Sequence, residues 1–281
     1  MTTRASYFQE ILPGGIPTLS GGTRRGVKLD RPWQSDLIVN PSKCPFEDEE
    51  ALKGCLIRLC PEEGGWRVIT NRFTPHHEHL LVMPMTCWPK ERLRTMGGLN
   101  QINMALQLVG DIIAPIAGER WLNVYVGAAA GQNVTHLHYH LLEPVQRILS
   151  RPERDVAGHF ASSPLVLFEL EGFRVVVGGH RAGQCFIVPL EGHPFDQRVA
   201  ESLAGVLHCI IRMFAEKFTS VQGLPPDYQV NIKFVDGRVV YACFIPILNN
   251  WGGTEYLALM EGTPITLPWP HEDTLRHLLG K

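Results

Sequence analysis

The chain has 281 residues, of which 44% are hydrophobic and 19% are charged, and its formal net charge is −2. This is the composition of a globular protein with a sizeable core, and the near-neutral charge excludes an overall basic field that would recruit nucleic acid or an anionic membrane. No stretch reaches the ~20 apolar residues that a membrane-spanning helix needs. The seven cysteines are widely spaced and the first residues lack the apolar run of a secretory signal, so we expect reduced thiols and a cytoplasmic protein.

The first half of the chain contains a short series of predicted elements. Residues 1–40 are rich in Gly, Thr, Arg and Pro without a sustained hydrophobic period, and we interpret them as an N-terminal arm. Alternation over residues 66–73 predicts a strand, and the apolar run HLLVMP, His79–Pro84, predicts another. Apolar residues at helical spacing predict a helix over Leu99–Ile113, and WLNVYVG from Trp121 predicts a further strand before a small-residue loop.

The stretch GQNVTHLHYHLLEP, residues 131–144, carries a histidine at every second position: His136, His138 and His140. Side chains alternate between the two faces of a β-strand, so the three imidazoles would share one face while Leu137 and Tyr139 lie on the other. A helix would scatter the rings around its circumference. We therefore predict a strand that presents three imidazoles to one site.

The second half of the chain repeats the order of elements found in the first. Its apolar patterns predict strands, a helix and two more strands, over residues 173–177, 185–189, 202–218, 228–234 and 239–246. The residues from 249 onward predict a tight turn followed by short helices.

The spacing within the two halves is also similar, since Pro84 to His138 and Pro189 to Cys243 are both 54 positions. At that offset the three histidines correspond to Tyr241, Cys243 and Ile245 in the second half. An internal duplication explains five elements in the same order better than chance does. The second copy would then keep the scaffold without the histidines.

With these residues in view, the chain resembles the histidine triad superfamily. The family pattern of three alternating histidines followed by two apolar residues stands here at 136–142, and the family's Gly-Gln stretch before it is matched at 130–134. Its upstream Asn-x-Phe turn and the strand that follows are matched at 71–73 and 79–84. The duplication resembles the two-lobed branch, which includes galactose-1-phosphate uridylyltransferase and the dinucleoside tetraphosphate phosphorylases.

The resemblance implies an α+β fold, in which an antiparallel half-barrel with a helix is duplicated as two lobes. Residues 41–150 would form the catalytic histidine triad domain and residues 160–281 a degenerate second domain, after the arm at 1–40. Two such units pair across their sheets in the family. The protein would therefore be either a monomeric pseudo-dimer or a homodimer.

The resemblance also assigns roles to the three histidines. His138 would attack the α-phosphorus of a small-molecule nucleotide and form a nucleotidyl-histidine, which divides one displacement into two steps. A neutral imidazole with an ordinary pKa near ~6.5 is available for this at neutral pH, and we expect a neighbouring carbonyl to fix its tautomer. His136 and His140 would neutralise phosphate charge or protonate the leaving group.

Substrate-binding residues are implied on both sides of the triad. Gly131, Gln132 and Asn133 resemble the family's phosphate-contacting loop, whose neutral donors stabilise developing charge without reorganising. His79 would lie near the triad and contact substrate, although a buried, hydrogen-bonded ring is the structural alternative.

The acceptor of the transferred group is left open by two conflicting features. The two-lobed transferases usually have Gln at the third triad position, whereas this chain has His140 there, as the hydrolase branch does. His140 therefore favours water as the acceptor, and hence hydrolysis. The two-lobed architecture favours phosphate or a sugar phosphate, and hence a phosphorylase or nucleotidyltransferase.

No cofactor is required for this chemistry, but several relatives hold a structural zinc ion with a Cys-x-x-Cys pair. Here the stretch reads Cys44-Pro-Phe-Glu47, and Cys87 stands where relatives place a histidine ligand. A zinc site from Cys44, Glu47, Cys87 and His136 is one interpretation, because carboxylates can also ligate zinc. The other is a lost metal site with buried thiols.

Two further functional classes remain open at this point. The triad could survive as the binding surface of a non-catalytic nucleotide-binding protein. Alternatively, the three alternating imidazoles could ligate a catalytic metal ion, as in several β-barrel metalloproteins.

Overall fold

The computed structural model describes most residues between Cys44 and Ile247. The ranges left out between them are 51, 53–54, 62–64, 72–78, 128–129, 131, 133, 144–165, 178–183 and 218–226. The predicted N-terminal arm, the turn and helices predicted after 249, and two of the predicted phosphate-loop residues, Gly131 and Asn133, therefore lie outside the described residues. None of the described helices is long and apolar enough to cross a membrane.

Ten antiparallel strands form one sheet within the described part of the chain. They are β1 (Leu56–Cys60), β2 (Trp66–Thr70), β3 (His79–Pro84), β4 (Glu119–Val126), β5 (Tyr139–Leu142), β6 (Val166–Leu170), β7 (Phe173–Val177), β8 (Cys185–Pro189), β9 (Asp227–Val235) and β10 (Arg238–Ile247). Their spatial order is β1-β2-β3-β5-β4-β9-β10-β8-β7-β6. The described helices are α1 (Lys90–Arg94), α2 (Leu99–Ile113) and α3 (Gln197–Lys217).

The strand order is symmetric about the pairing of β4 with β9, and each half of the chain contributes five strands. Helices α2 and α3 pack against each other and share one large apolar cluster with one face of the sheet. The predicted α+β fold with two lobes is confirmed. The two lobes form a single sheet, because β4 and β9 hydrogen-bond along their whole lengths.

Three elements were not predicted from the sequence: β1, α1 and β6. Strand β1 is an edge strand whose Leu56 and Leu59 are exposed, so its apolar residues do not mark a buried face. Helix α1 has five residues, which is too short for a helical period to be recognised. The remaining strands and helices that fall within the described residues lie where the hydrophobic patterns placed them.

The histidine strand is shorter than predicted, because β5 begins only at Tyr139. Tyr139 is the first residue of the stretch that pairs with both neighbours, β3 at Val82 and β4 at Val124. The alternation of faces still holds, since Leu137, Tyr139 and Leu141 are all buried in the cluster beneath the helices. The histidines are accordingly on the face away from the helices.

The sheet register also shows which positions of the two halves are equivalent. Asn123 of β4 pairs with Asn231 of β9 at the centre, and these two residues pair in turn with His140 and Cys243. His140 is therefore the counterpart of Cys243, and the match of His138 to Cys243, which assumed the same 54-residue spacing in both halves, is wrong by two positions. The connections differ in length: the turn Asp236–Gly237 joins β9 to β10, whereas residues 127–138 join β4 to β5.

Candidate active site

Two of the triad histidines and a third from β3 form one cluster of rings. The centroids of His138 and His140 are 4.7 Å apart. Nε2 of His79 lies 2.9 Å from Nδ1 of His140, a hydrogen-bond distance. Strands β3 and β5 are neighbours, which brings together two residues separated by 61 positions in the chain. His79, predicted to lie near the triad, is in direct contact with it.

The ring of His138 is held in one tautomer by the backbone. Its Nδ1 lies 2.7 Å from the carbonyl oxygen of His136. A carbonyl can only accept a hydrogen bond, so Nδ1 carries the proton and the ring has its lone pair on Nε2. The side chain is 8% exposed and touches the ring of Phe46, which fixes it further.

The first histidine of the triad has different neighbours. His136 is fully buried and its Nε2 donates to the carbonyl oxygen of Pro84 at 2.7 Å. Its Nδ1 faces two thiols, 3.4 Å from Sγ of Cys44 and 3.2 Å from Sγ of Cys87. The structure therefore groups His138 with His140 and places His136 with the cysteines.

The side chains of Cys44, Cys87 and His136 could supply three of the four ligands of a tetrahedral zinc ion. Their ligand atoms, in Cys44, Cys87 and His136, all lie within 4.8 Å of one another. A tetrahedral zinc ion with bonds of ~2.3 Å to sulfur and ~2.0 Å to nitrogen would separate S and N by roughly 3.5 Å, close to the distances in this cluster. The bond from Nε2 to Pro84 is the outer contact that orients a metal-bound imidazole.

The pKa values of the two thiols in this cluster shift in opposite directions. The hydrogen bond between them lowers the pKa of Cys44, with further help from His136, and the same hydrogen bond raises the pKa of Cys87. Glu47, which the sequence also offered as a ligand, lies outside the cluster, and its Oε1 instead accepts a hydrogen bond from the amide of Cys87 at 2.5 Å. Among the described residues, the three triad histidines do not form a metal-binding group of their own.

The loop before the triad is closed by Gln132. Its side-chain Oε1 accepts a hydrogen bond from the backbone amide of Gly127 at 2.7 Å, and its backbone amide donates one to the Gly127 carbonyl at 3.1 Å. Its Nε2 lies 3.4 Å from the carbonyl of His136, the same oxygen that holds Nδ1 of His138. Gln132, predicted to contact phosphate, connects Gly127 to the carbonyl that orients the ring of His138.

Sequence reasoning missed several neighbours of the cluster. The rings of Tyr125 and His140 are 5.4 Å apart, and burial raises the pKa of Tyr125, so its phenol stays protonated at neutral pH. Asn123, two positions earlier on the same face of β4, pairs with His140. Both residues lie in the strand that the sequence predicts from Trp121. The sequence does not show that this strand lies between β5 and β9.

No family model matches the chain, and no curated protein sequence matches it. Solved structures do match it. A uridylyltransferase mutant superposes with a TM-score of 0.55 and 14% identity over 77% of this chain and 88% of that chain. A GalT-like protein from Arabidopsis thaliana has a TM-score of 0.56 and 17% identity over 84% of this chain and 91% of that chain. An ADP-glucose phosphorylase from Arabidopsis thaliana, with bound ADP-glucose, gives 0.54 and 17% over 84% and 88%. At these identities the likeness is one of fold, and it confirms the two-lobed architecture.

Proposed function

We propose that this protein is an enzyme that cleaves the 5′-phosphoryl bond of a nucleotide derivative through a covalent nucleotidyl-His138. The observation that carries the proposal is the tautomer of His138: with Nδ1 bound to the His136 carbonyl, the nucleophilic lone pair is on Nε2. The substrate classes are dinucleoside polyphosphates, nucleotide sugars and nucleoside phosphoramidates.

The reaction has two displacements at phosphorus. In the first, Nε2 of His138 forms a bond to the α-phosphorus while the bond from phosphorus to the leaving group breaks, and the leaving group departs with the electron pair. In the second, the acceptor attacks the same phosphorus and the electron pair of the N–P bond returns to Nε2. Each displacement is easier than a single direct one, which is the gain from covalent catalysis.

Proton transfer to the leaving group is assigned to His140. Its ring touches that of His138, and its Nδ1 is hydrogen-bonded to Nε2 of His79. Two imidazoles in contact can hold one proton between them and deliver it to the leaving atom, a contribution of typically 10² to 10⁴ in rate. His136 is assigned a positioning role, because both of its ring nitrogens are engaged away from this pair.

Water is the acceptor that His140 favours, since an imidazole at this position can also remove a proton from an attacking water molecule. The second candidate is transfer to phosphate or to a sugar phosphate. One observation supports it: the two-lobed fold is shared with a uridylyltransferase and with an ADP-glucose phosphorylase.

We also propose that Cys44, Cys87 and His136 hold a structural zinc ion. The ion would connect Cys44 to Cys87, which follows the end of β3, and to His136, whose carbonyl oxygen holds Nδ1 of His138. Two sulfurs and one imidazole nitrogen are ligands that zinc prefers. No step of the proposed reaction passes through the metal.

The test is capture of the intermediate. The protein is mixed with a panel of radiolabelled dinucleoside polyphosphates, nucleotide sugars and nucleoside phosphoramidates, denatured in alkali, and analysed by mass spectrometry of its peptides. A nucleotidyl mass on the peptide containing His138, stable in alkali and lost in acid as a P–N bond is, supports the proposal. Absence of label with every substrate, or equal labelling of His138→Ala, contradicts it. Product analysis with and without added phosphate then identifies the acceptor, and intact nucleotide after long incubation would indicate a binding protein.

A further inference from the structure

The loop that precedes the triad is held from the second half of the chain. Gln229 lies on β9 and is fully buried. Its Nε2 donates to the carbonyl oxygen of Ala130 at 2.9 Å, although the two residues are 99 positions apart. Ala130 is also fully buried, so this hydrogen bond is screened from water and fixes the middle of the loop.

A second contact from β9 holds the beginning of the same loop. Asp227 forms an ion pair with Arg94 at the end of α1, and both side chains are largely buried. Gly127 packs directly against this pair, and a Cβ at that position would collide with both partners. Tyr228 adds a hydrogen bond from its hydroxyl to the Arg94 carbonyl at 2.8 Å.

The contacts continue from this loop to His138. Gly127 binds both the amide and the side chain of Gln132, and Gln132 contacts the carbonyl of His136. That carbonyl orients the ring of His138. Ala130 joins this series because its backbone amide donates to the Gly127 carbonyl at 3.1 Å. Hydrogen bonds therefore connect Ala130 and Gly127 to the ring of His138.

Gln229 is an unusual choice for a purely structural position. Strand β9 is already paired along its length with β4 and β10, so the sheet does not depend on this side chain. Its Oε1 has no hydrogen-bond partner in the part of the chain that the structure describes. Burying an amide with an unpaired oxygen destabilises the fold, and an apolar side chain would avoid this.

We propose that Gln229 and Asp227 are positioning residues, supplied by the half of the chain that lacks the triad, which hold Ala130 and Gly127 in place and, through Gln132, set the orientation of His138. The second lobe thereby takes part in the reaction without contacting the reacting atoms. The kinetic consequence rests on the proposed nucleotidyl transfer to His138, whereas the structural consequence does not.

Gln229→Met tests the proposal, because methionine has a similar volume and cannot donate to Ala130. The matched control is Gln184→Met: Gln184 is also buried in the second half, and its Nε2 binds Sγ of Cys243. We expect Gln229→Met to slow His138 labelling by about 10- to 100-fold with little change in KM, as small misplacements of a nucleophile do. Gln184→Met should lose similar thermal stability and label at the wild-type rate.

The structural arm uses ¹⁵N NMR of the full chain without substrate. Gln229→Met should shift the amides of Gly127 and Gln132 and the ring nitrogens of His138, and Gln184→Met should not. If the wild type is not labelled by any nucleotide but these shifts appear, the proposed function fails and the positioning role stands. If Gln229→Met labels and resonates like the wild type, the positioning role is wrong.

Asp227→Asn provides a second variant in case Gln229→Met does not fold. It keeps the shape of the side chain and removes its charge, which weakens the ion pair with Arg94 beside Gly127. We expect the same NMR shifts, with a smaller decrease in the labelling rate than for Gln229→Met. Unchanged shifts and an unchanged rate in a folded Asp227→Asn would also contradict the proposal.

Discussion

Each half of the sheet has a hydrogen-bonded pair of side chains at equivalent positions, but the residue types differ between the two halves. In the first half, His79 of β3 binds His140 of β5. In the second, Gln184, which directly precedes β8, binds Cys243 of β10 at 3.2 Å. The backbone pairing is the same in both places, so the strand frame alone does not make a site.

The difference lies in what each pair can do with a proton. Imidazoles exchange protons near neutral pH. Burial raises the pKa of Cys243 to about 12, and an amide does not titrate, so the second pair is inert. The connections differ as well: a two-residue turn closes β9–β10, whereas the longer β4–β5 segment has room for the loop that holds His138.

The largest effect expected from this comparison is that of the nucleophile. His138→Ala should lower the rate of nucleotide cleavage by more than about 10³-fold, as removal of a nucleophile does, and should abolish labelling. Tyr241→Phe alters the equivalent position in the second half and should leave both unchanged. Steady-state assays and peptide mass spectrometry measure the two variants. Comparable losses in both would mean that the second half is also a reaction centre.

The next largest effect concerns the proton-handling pair. His140→Gln should lower hydrolysis by about 10²- to 10⁴-fold, the usual contribution of a general acid. Because a glutamine stands at this position in two-lobed transferases, the fraction of product transferred to phosphate should rise. The matched variant Cys243→Ser should keep wild-type rates and product ratio. An unchanged hydrolysis rate in His140→Gln would remove His140 from the mechanism.

The connection between the strands gives a third, smaller effect, on stability. Gly127 has φ +94° and packs against Asp227 and Arg94, whereas Gly237 of the second-half turn has φ +70° and more room around it. We expect Gly127→Ala to lower the free energy of unfolding by about 2–4 kcal/mol from strain and collision together. Gly237→Ala should cost only about 1 kcal/mol, from strain alone. Chemical denaturation measures both, and equal values would show that the loop is not held by the ion pair.

The smallest effect is that of the proposed metal. Cys87→Ser should remove most of the bound zinc and lower Tm by roughly 4–8 °C, the shift for about 2 kcal/mol in a chain of this size. Cys185→Ser, which replaces a buried thiol of the second half, should keep its zinc content. Elemental analysis and calorimetry distinguish them. If wild-type protein purified from zinc-containing medium contains no metal, the zinc proposal is wrong.

Much of this comparison could be predicted from local sequence. The period-two histidines put Leu137 and Tyr139 in the core, and the apolar runs located most strands and the two long helices. The duplication was also visible, although its register was not, because a constant offset fails where two connections differ in length. Short elements such as α1 gave no signal, since one turn contains too few residues for a helical period.

The sequence by itself determined which residues alternate, where most of the strands lie and that one segment carries three imidazoles. Only the tertiary structure decided the contacts among the candidate residues. It joined His79 to His140, it placed Cys44 and Cys87 at Nδ1 of His136 without Glu47, and it joined Gln229 to Ala130. Periodicity reports which face of an element a side chain occupies, because that is fixed by local backbone geometry. It does not report which element lies beside that face. The order β3-β5-β4-β9 joins distant parts of the chain, and it is set by the packing of the whole sheet against its helices.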